Sequence, residues 1–301
     1  MHMNTIYRKN EDFNTAESGL SFTLTIVCPY ALMLIVTAVF QFGLNDTSSA
    51  LFRYISYFAT QISYLAVAAF IAKQMGGLRV FRAEKFHWKY VFLGLALSYG
   101  MLFGLGYLNE LFVGALENAG LHVNGVAPPL DGAGQFALSL VLIGLMPAIC
   151  EETLFRGAVL RGAAYMNVWA AMALNGLMFS LFHQNPAQTV YPFLTGCVFA
   201  LVALRSGSVF PSVIMHAVNN VAILCISYFA PQAQVYNAAT LATGLVLFAA
   251  AFAYLAFFDK SKDPAAVRFA PAQPLHGKYF FYFAAVGLVL CVVSWIVALA
   301  G

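Results

Sequence analysis

Apolar residues in this chain fall into long blocks separated by short polar stretches. Nine blocks lie near 20–43, 51–72, 90–112, 135–160, 168–184, 189–205, 208–230, 238–258 and 279–300. A helix that crosses a bilayer needs about 20 mostly apolar residues, and most of these blocks reach that length. The fifth and sixth are short, so the pattern predicts an all-α, polytopic membrane helix bundle of eight to nine transmembrane helices. The lower number holds if one short block is re-entrant or interfacial. The first block is too long for a signal-peptide core and has no small-residue cleavage site, which marks it as a retained span. Residues 1–19 are expected to form a cytoplasmic N-terminal segment and 20–301 a single membrane domain.

Composition strengthens this reading. Hydrophobic residues make up 61% of the chain and charged residues 9%, against roughly 45–50% and 25% in soluble domains. The net charge of +3 is small, and the basic residues sit in loops with no amphipathic stripe, so no nucleic-acid surface is expected. They do alternate from loop to loop. Arg8 and Lys9 precede the first block; Lys73, Arg79, Arg82, Lys85 and Lys89 follow the second. Arg156, Arg161, Arg205, Lys260, Lys262, Arg268 and Lys278 continue the series on the same side, while the opposite loops hold only Arg53. By the positive-inside rule the N-terminus is cytoplasmic and, with nine spans, the C-terminus lies outside. Cys28, Cys150, Cys197, Cys225 and Cys291 are scattered singly through apolar blocks, with no CxxC pair, and read as buried thiols.

The candidate chemistry is a set of ionisable residues inside the blocks. Facing lipid, Glu151, Glu152 and Arg156 would together cost roughly 8–10 kcal/mol, so they must face protein or water. Glu152 and Arg156 are spaced i, i+4 with the acid first, the favourable order for an ion pair on one helix. Glu151 points about 100° away from that pair and has no such partner. Alone, the three residues would serve equally well to lock helices together. His183 ends the fifth block, however, and the seventh carries His216 and Asn220 at i, i+4, on one helical face. A buried carboxylate that takes a proton from water, with histidine and asparagine donating to an oxyanion, makes a hydrolytic site. Two histidines and a glutamate would also make a catalytic zinc set, Glu151, His183 and His216, although the spacing is not that of HExxH.

Lesser candidates have plainer roles. Asn175 lies on roughly the same face as His183 and is expected to make an interhelical hydrogen bond. Cys150 adjoins Glu151 but has no cationic neighbour in sequence, against a nucleophilic role. Gln184, Asn185 and Gln188 would let water or peptide approach; His87, His122 and His276 are assigned to solvated loops.

Glu151-Glu152-Thr153-Leu154-Phe155-Arg156 fits EExxxR, Phe179 to His183 fits FxxxH, and His216 to Asn220 fits HxxxN, in that order on successive blocks. The segment of about 135–220 thereby resembles the CAAX protease and bacteriocin-processing family of intramembrane endopeptidases, which includes the type II CAAX prenyl endopeptidase. The resemblance implies that Glu151 activates water, that His183 positions and polarises it, and that His216 and Asn220 hold the oxyanion. Glu152 and Arg156 carry over as supporting residues. It implies membrane lipids as surroundings and a peptide or protein held at the membrane as substrate. The family is described both as metal-dependent and as glutamate-dependent without a metal; the second is preferred here, with no cofactor, and zinc is the alternative. Gly207-Ser208 before the His216 helix looks more like the prokaryotic branch, so a bacterial or archaeal cell membrane is expected and a prenylated substrate is not. A non-catalytic immunity or scaffold protein that binds a peptide or protein partner is the main rival, and a proton-coupled transporter the third.

One expectation concerns depth. At about 1.5 Å per residue, His216 lies some 12 Å from the cytoplasmic end of its block and His183 about 24 Å along its own. For both to meet Glu151, the fifth helix must tilt or start below the membrane surface, or its hairpin must stop short of the far side. A cavity opening to the cytoplasm is expected to deliver the water.

Overall fold

The computed structural model describes residues 3–74, 81, 83, 85–121, 123, 130–163, 167–259 and 274–300. Among the described residues nine helices follow one another and no strand occurs. Eight are long and apolar enough to cross a membrane. They are α1 (Met3–Ala38, prolonged by a π-turn at Val39–Leu44), α2 (Ala50–Gln74), α3 (Lys89–Asn118), α4 (Ala133–Ala163), α6 (Val190–Ser206), α7 (Phe210–Phe229), α8 (Ala238–Phe258) and α9 (Pro274–Ala300). The ninth, α5 (Val168–Phe182), has 15 residues. At about 1.5 Å per residue that is some 22 Å, short of a hydrocarbon core of about 30 Å. Eight helices thus have the length and composition of a membrane span, and the fifth block forms the one shorter apolar helix among the described residues. The protein is an integral membrane protein.

Helix limits follow local chemistry. The side chain of Asn167 accepts from the backbone N–H groups of Trp169 and Ala170, starting α5, and Asn237 starts α8 with a reciprocal capping box through Thr240. At the other end of α6, Gly207 takes a left-handed φ of 71° and turns the chain into α7. The first helix begins at Met3, well before the apolar block, because polar residues outside lipid prolong a helix without penalty. His276 falls within α9 and not in a loop, and His122 lies outside the described residues.

α1 packs against α9 and α2; α3 packs against α8 and α7; α5 and α6 form a hairpin inserted into the bundle. Lipid gives helices no hydrophobic incentive to associate, so close packing of small residues has to supply it. The α5–α6 contact does so through Gly176 and Gly196: a methyl group on Gly176 would come within 2.8 Å of the Phe193 carbonyl oxygen and against the Cys197 sulfur. Alanine is better than glycine in a helix by about 1 kcal/mol, but overpacking against an immovable backbone costs about 1–3 kcal/mol. Gly176→Ala is accordingly expected to lower the thermal unfolding midpoint in detergent; an unchanged or higher midpoint would show that the hairpin is not closely packed there.

Lys and Arg side chains gather at one end of the bundle. Lys89 pairs with Asp259 at 2.6 Å, and Asp259 also accepts from Tyr90 at 3.0 Å, tying α3 to α8. Arg205 donates to the carbonyl of Ala256 at 3.0 Å. The hairpin enters from this basic end, and Leu160, Ala163, Ala171, Ala200, Ala203 and Leu204 pack its base shut.

Candidate active site

The carboxylates come from the middle of α4. This helix contains two π-turns, Leu140–Leu145 and Thr153–Ala158, and in each a carbonyl accepts from an asparagine on another helix. Phe155 accepts from Asn175 Nδ2 of α5 at 3.1 Å, and Ile143 accepts from Asn220 Nδ2 of α7 at 3.0 Å. Such irregular turns recur at functional sites because they redirect backbone groups. Asn175 is thus an interhelical brace, as its sequence position suggests.

Glu152 and Arg156 are completely buried and bonded at 2.6 Å. Arg156 also donates to the Gly196 carbonyl at 3.0 Å, and its guanidinium carbon lies 4.4 Å from the Phe179 ring centre and 5.3 Å from that of Phe199. The ion pair expected from i, i+4 spacing is present. Glu152 does more than brace Arg156, however: the same carboxylate oxygen lies 3.0 Å from His216 Nδ1.

That contact orients His216. A carboxylate only accepts, so Nδ1–H is the donor and Nε2 points the other way, to within 4.0 Å of Glu151 Oε2. Glu151 Oε2 is buried and has no hydrogen-bond partner among the described residues. His183 is held in the same manner at the end of α5: its Nδ1 bonds the Phe179 carbonyl at 2.7 Å, and its ring stands edge-on to Phe179 and Phe182. Its Nε2 remains for a ligand or water. Metal-binding histidines are oriented by comparable contacts, but among the described residues no group of three His, Cys, Asp or Glu side chains could hold a metal ion.

Glu151, His183, His216 and Asn220 all line one cavity of about 670 Å³, whereas Glu152 and Arg156 lie behind its wall. The cavity floor is buried, at Glu151, His216, Phe179 and Phe199; its exposed rim is Glu110, Gln188, Ile223 and Ser227. These rim residues belong to the far end of α3, the hairpin apex and the far end of α7, opposite the ends that carry Lys89, Arg161 and Arg205. Among the described residues the exposed lining therefore lies at the end opposite the basic one, where the mouth was expected. The reason is the hairpin. It enters and seals the basic end, and its apex stops at the level of Asn109, which donates to the Ala187 carbonyl at 2.9 Å and accepts from Tyr191 N at 3.1 Å. Asn109 is nine residues, roughly 14 Å, short of the far end of α3. The depth mismatch of His183 and His216 is resolved by that shortened hairpin.

Several lining residues were not singled out from sequence. Asn219 bonds Tyr191 through its Oδ1 and donates to Asn220 at 3.3 Å, fixing the amide of Asn220 from behind. Tyr57, Gln61 and Tyr64 line the cavity from α2. Their i, i+4, i+7 spacing in an apolar span was a usable signal, because polar residues kept on one face of a membrane helix avoid lipid. Among the approach residues, Gln188 reaches the cavity, while Gln184 bonds Tyr30 and Asn185 caps the short turn Pro186–Gln188. Cys150 is buried, with Gln61 O at 4.0 Å from its sulfur, in keeping with an inert thiol.

Fold and site together define an all-helical membrane protein with carboxylate, imidazole and amide groups around an interior cavity. Residues 133–222 match the family model described as type II CAAX prenyl endopeptidase Rce1-like. The matched segment runs from the start of α4 into α7 and contains every residue of the three motifs, in agreement with the resemblance read from the sequence. No curated protein and no solved structure matches the chain. At family level the match supports an intramembrane endopeptidase of the CAAX type.

Proposed function

We propose that this protein hydrolyses peptide bonds of peptides or proteins held at the membrane, with Glu151 as the general base. The observation that carries this reading is Glu151 Oε2, buried on the cavity floor without a partner and 4.0 Å from His216 Nε2. An unpaired buried carboxylate is costly and is understandable where it awaits a water to deprotonate. With Nδ1–H given to a carbonyl, neutral His183 presents a lone pair at Nε2 that accepts from the same water and aims it. His216 donates at Nδ1 to Glu152; only its imidazolium form can also donate at Nε2 to an oxyanion, and Glu151 and Glu152 are the counter-charges such a form needs. Asn220 Nδ2 has one hydrogen on Ile143 O and a second for the oxyanion. Arg156 and Glu152 hold this arrangement from behind.

We propose a reaction without metal, supported by the finding that no three His, Cys, Asp or Glu side chains among the described residues are grouped to hold an ion. If so, activity survives exhaustive chelation, and active protein carries no stoichiometric zinc by elemental analysis; one zinc per chain with loss of activity on removal would reverse the mechanism. We also place the basic helix ends and the N-terminus in the cytoplasm of a bacterial or archaeal cell, which sets the cavity mouth on the opposite face.

The function is tested by mass spectrometry of membrane peptidomes from cells that express wild-type protein or Glu151→Gln. Fragments present only with the wild type are expected. Identical peptidomes, with full biological rescue by Glu151→Ala, would instead establish a binding protein.

A further inference from the structure

Tyr191 and Asn219 line the cavity but are none of the four residues assigned to the water or the oxyanion. They form a chain that ends on one of those four. The Tyr191 hydroxyl donates to Asn219 Oδ1, Asn219 Nδ2 donates to Asn220 Oδ1 at 3.3 Å, and Asn220 Nδ2 donates to the Ile143 carbonyl at 3.0 Å. The direction of the chain is fixed at its Ile143 end. A backbone carbonyl only accepts, so Asn220 must turn Nδ2 toward Ile143 and Oδ1 toward Asn219. Asn219 then gives Nδ2 to Asn220 and has Oδ1 left on the Tyr191 side. Asn219 is 6% exposed, so that oxygen has to find its donor within the protein, and the Tyr191 hydroxyl supplies it.

The chain holds the plane of the Asn220 amide. Ile143 alone would leave the amide free to pivot about a single hydrogen bond; a second contact on its oxygen removes that freedom and leaves the other Nδ2 hydrogen for the cavity. Tyr191 is itself placed from α3. It lies in the first turn of α6, where a backbone N–H has no partner within the helix, and Asn109 Oδ1 accepts from that N–H at 3.1 Å while Asn109 Nδ2 donates to the Ala187 carbonyl at 2.9 Å. A continuous line of side-chain contacts thus runs from α3 through the hairpin to α7.

We propose that Tyr191 is a positioning residue for peptide hydrolysis, acting through Asn219 to hold the Asn220 amide where its free hydrogen meets the oxyanion. The proposal rests on Asn220 serving as the oxyanion donor. A donor preorganised for the oxyanion acts in the transition state and not in substrate binding, so the effect of Tyr191 falls on kcat.

The test is a double-mutant cycle in proteoliposomes over wild type, Tyr191→Phe, Asn220→Ala and the double variant. The probe is a quenched fluorescent peptide spanning a bond that is cut in wild-type cells and intact in Glu151→Gln cells. Asn220→Ala is expected to lower kcat about a hundredfold, the loss of one oxyanion donor. Tyr191→Phe, which removes a single oxygen, is expected to lower it about tenfold with KM within about twofold of wild type. Added to Asn220→Ala, Tyr191→Phe is expected to change nothing further, because the group it positions is gone; a general loss of folding, or a direct contact of Tyr191 with the peptide, would instead add to the first loss. Asn219→Ala removes the middle link and is expected to match Tyr191→Phe, again with no further loss when the two are combined. An additive loss in the Tyr191→Phe, Asn220→Ala protein, an effect confined to KM, or full activity of Tyr191→Phe would overturn the proposal and leave the endopeptidase standing. Full activity of Asn220→Ala would overturn it by removing the oxyanion donor, and the absence of any cleaved peptide would overturn it together with the proposed function.

Discussion

Glu151→Gln is expected to reduce peptide cleavage by roughly 10²–10⁴-fold, the contribution of a positioned general base, while the protein folds as well as the wild type or better. Both halves follow from the same geometry. Glu151 Oε2 has no hydrogen-bond partner among the described residues and lies 4.0 Å from His216 Nε2, so the isosteric amide breaks no hydrogen bond and removes a buried charge. A structural carboxylate would behave differently, because its loss would leave a donor unsatisfied. Single-turnover cleavage in proteoliposomes, followed with a thermal melt of the same preparation, separates the two. Retained cleavage would remove Glu151 from the mechanism, and lost cleavage with a collapsed melt would make it structural.

The opposite pattern is expected at Arg156. Arg156→Met leaves Glu152 as a buried carboxylate supported by His216 alone, and breaking a buried pair from one side costs about 3–5 kcal/mol. The guanidinium also bridges α4 to the Gly196 carbonyl of α6 and covers Phe179, so the hairpin loosens with it. Replacing both partners, Glu152→Met with Arg156→Met, removes the uncompensated charge and is expected to restore most of the stability, since apolar substitutes for buried ion pairs are often neutral. Activity is not expected to return. His216 then lacks the contact that aims Nε2 at Glu151, and a misplacement of about 1 Å can lower a rate about a hundredfold. Full activity in the stable double variant would show that Glu152 serves only as a brace.

This outcome also bears on what each carboxylate is for. Adjacent residues on one helix end in different environments because α4 turns Glu152 toward Arg156 and His216, which share its Oε1, and Glu151 toward the cavity. Glu152 is paired through Oε1 with Arg156 and His216, whereas Glu151 has no hydrogen bond at Oε2 and lines the cavity, and function is proposed for Glu151.

How much of this was legible beforehand depends on the range of the interaction. The helices were, because a long local run of apolar residues can span lipid only by satisfying its backbone hydrogen bonds within itself, as a helix does. The Glu152–Arg156 pair was, since it closes over one helical turn. The four cavity residues were identified by their motifs, and the shortness of the fifth and sixth blocks already pointed to a hairpin that stops inside the bundle. The tie between His216 and Glu152 joins residues 64 positions apart, and no local pattern encodes it. Gln61 and Asn219 acquired their places in the wall only when α2, α6 and α7 were packed around α4. The direction of the mouth is the clearest case. Loop charges mark one end of the bundle as basic, but which end is open depends on where the hairpin enters, and Gly176 against Gly196 with the small and branched residues at its base closes the basic end. The sequence by itself determined an all-helical membrane protein with buried acid, imidazole and amide groups, because the penalty for charge in lipid is a local property. Tertiary packing alone decided which carboxylate stays unpaired and from which side a substrate reaches it.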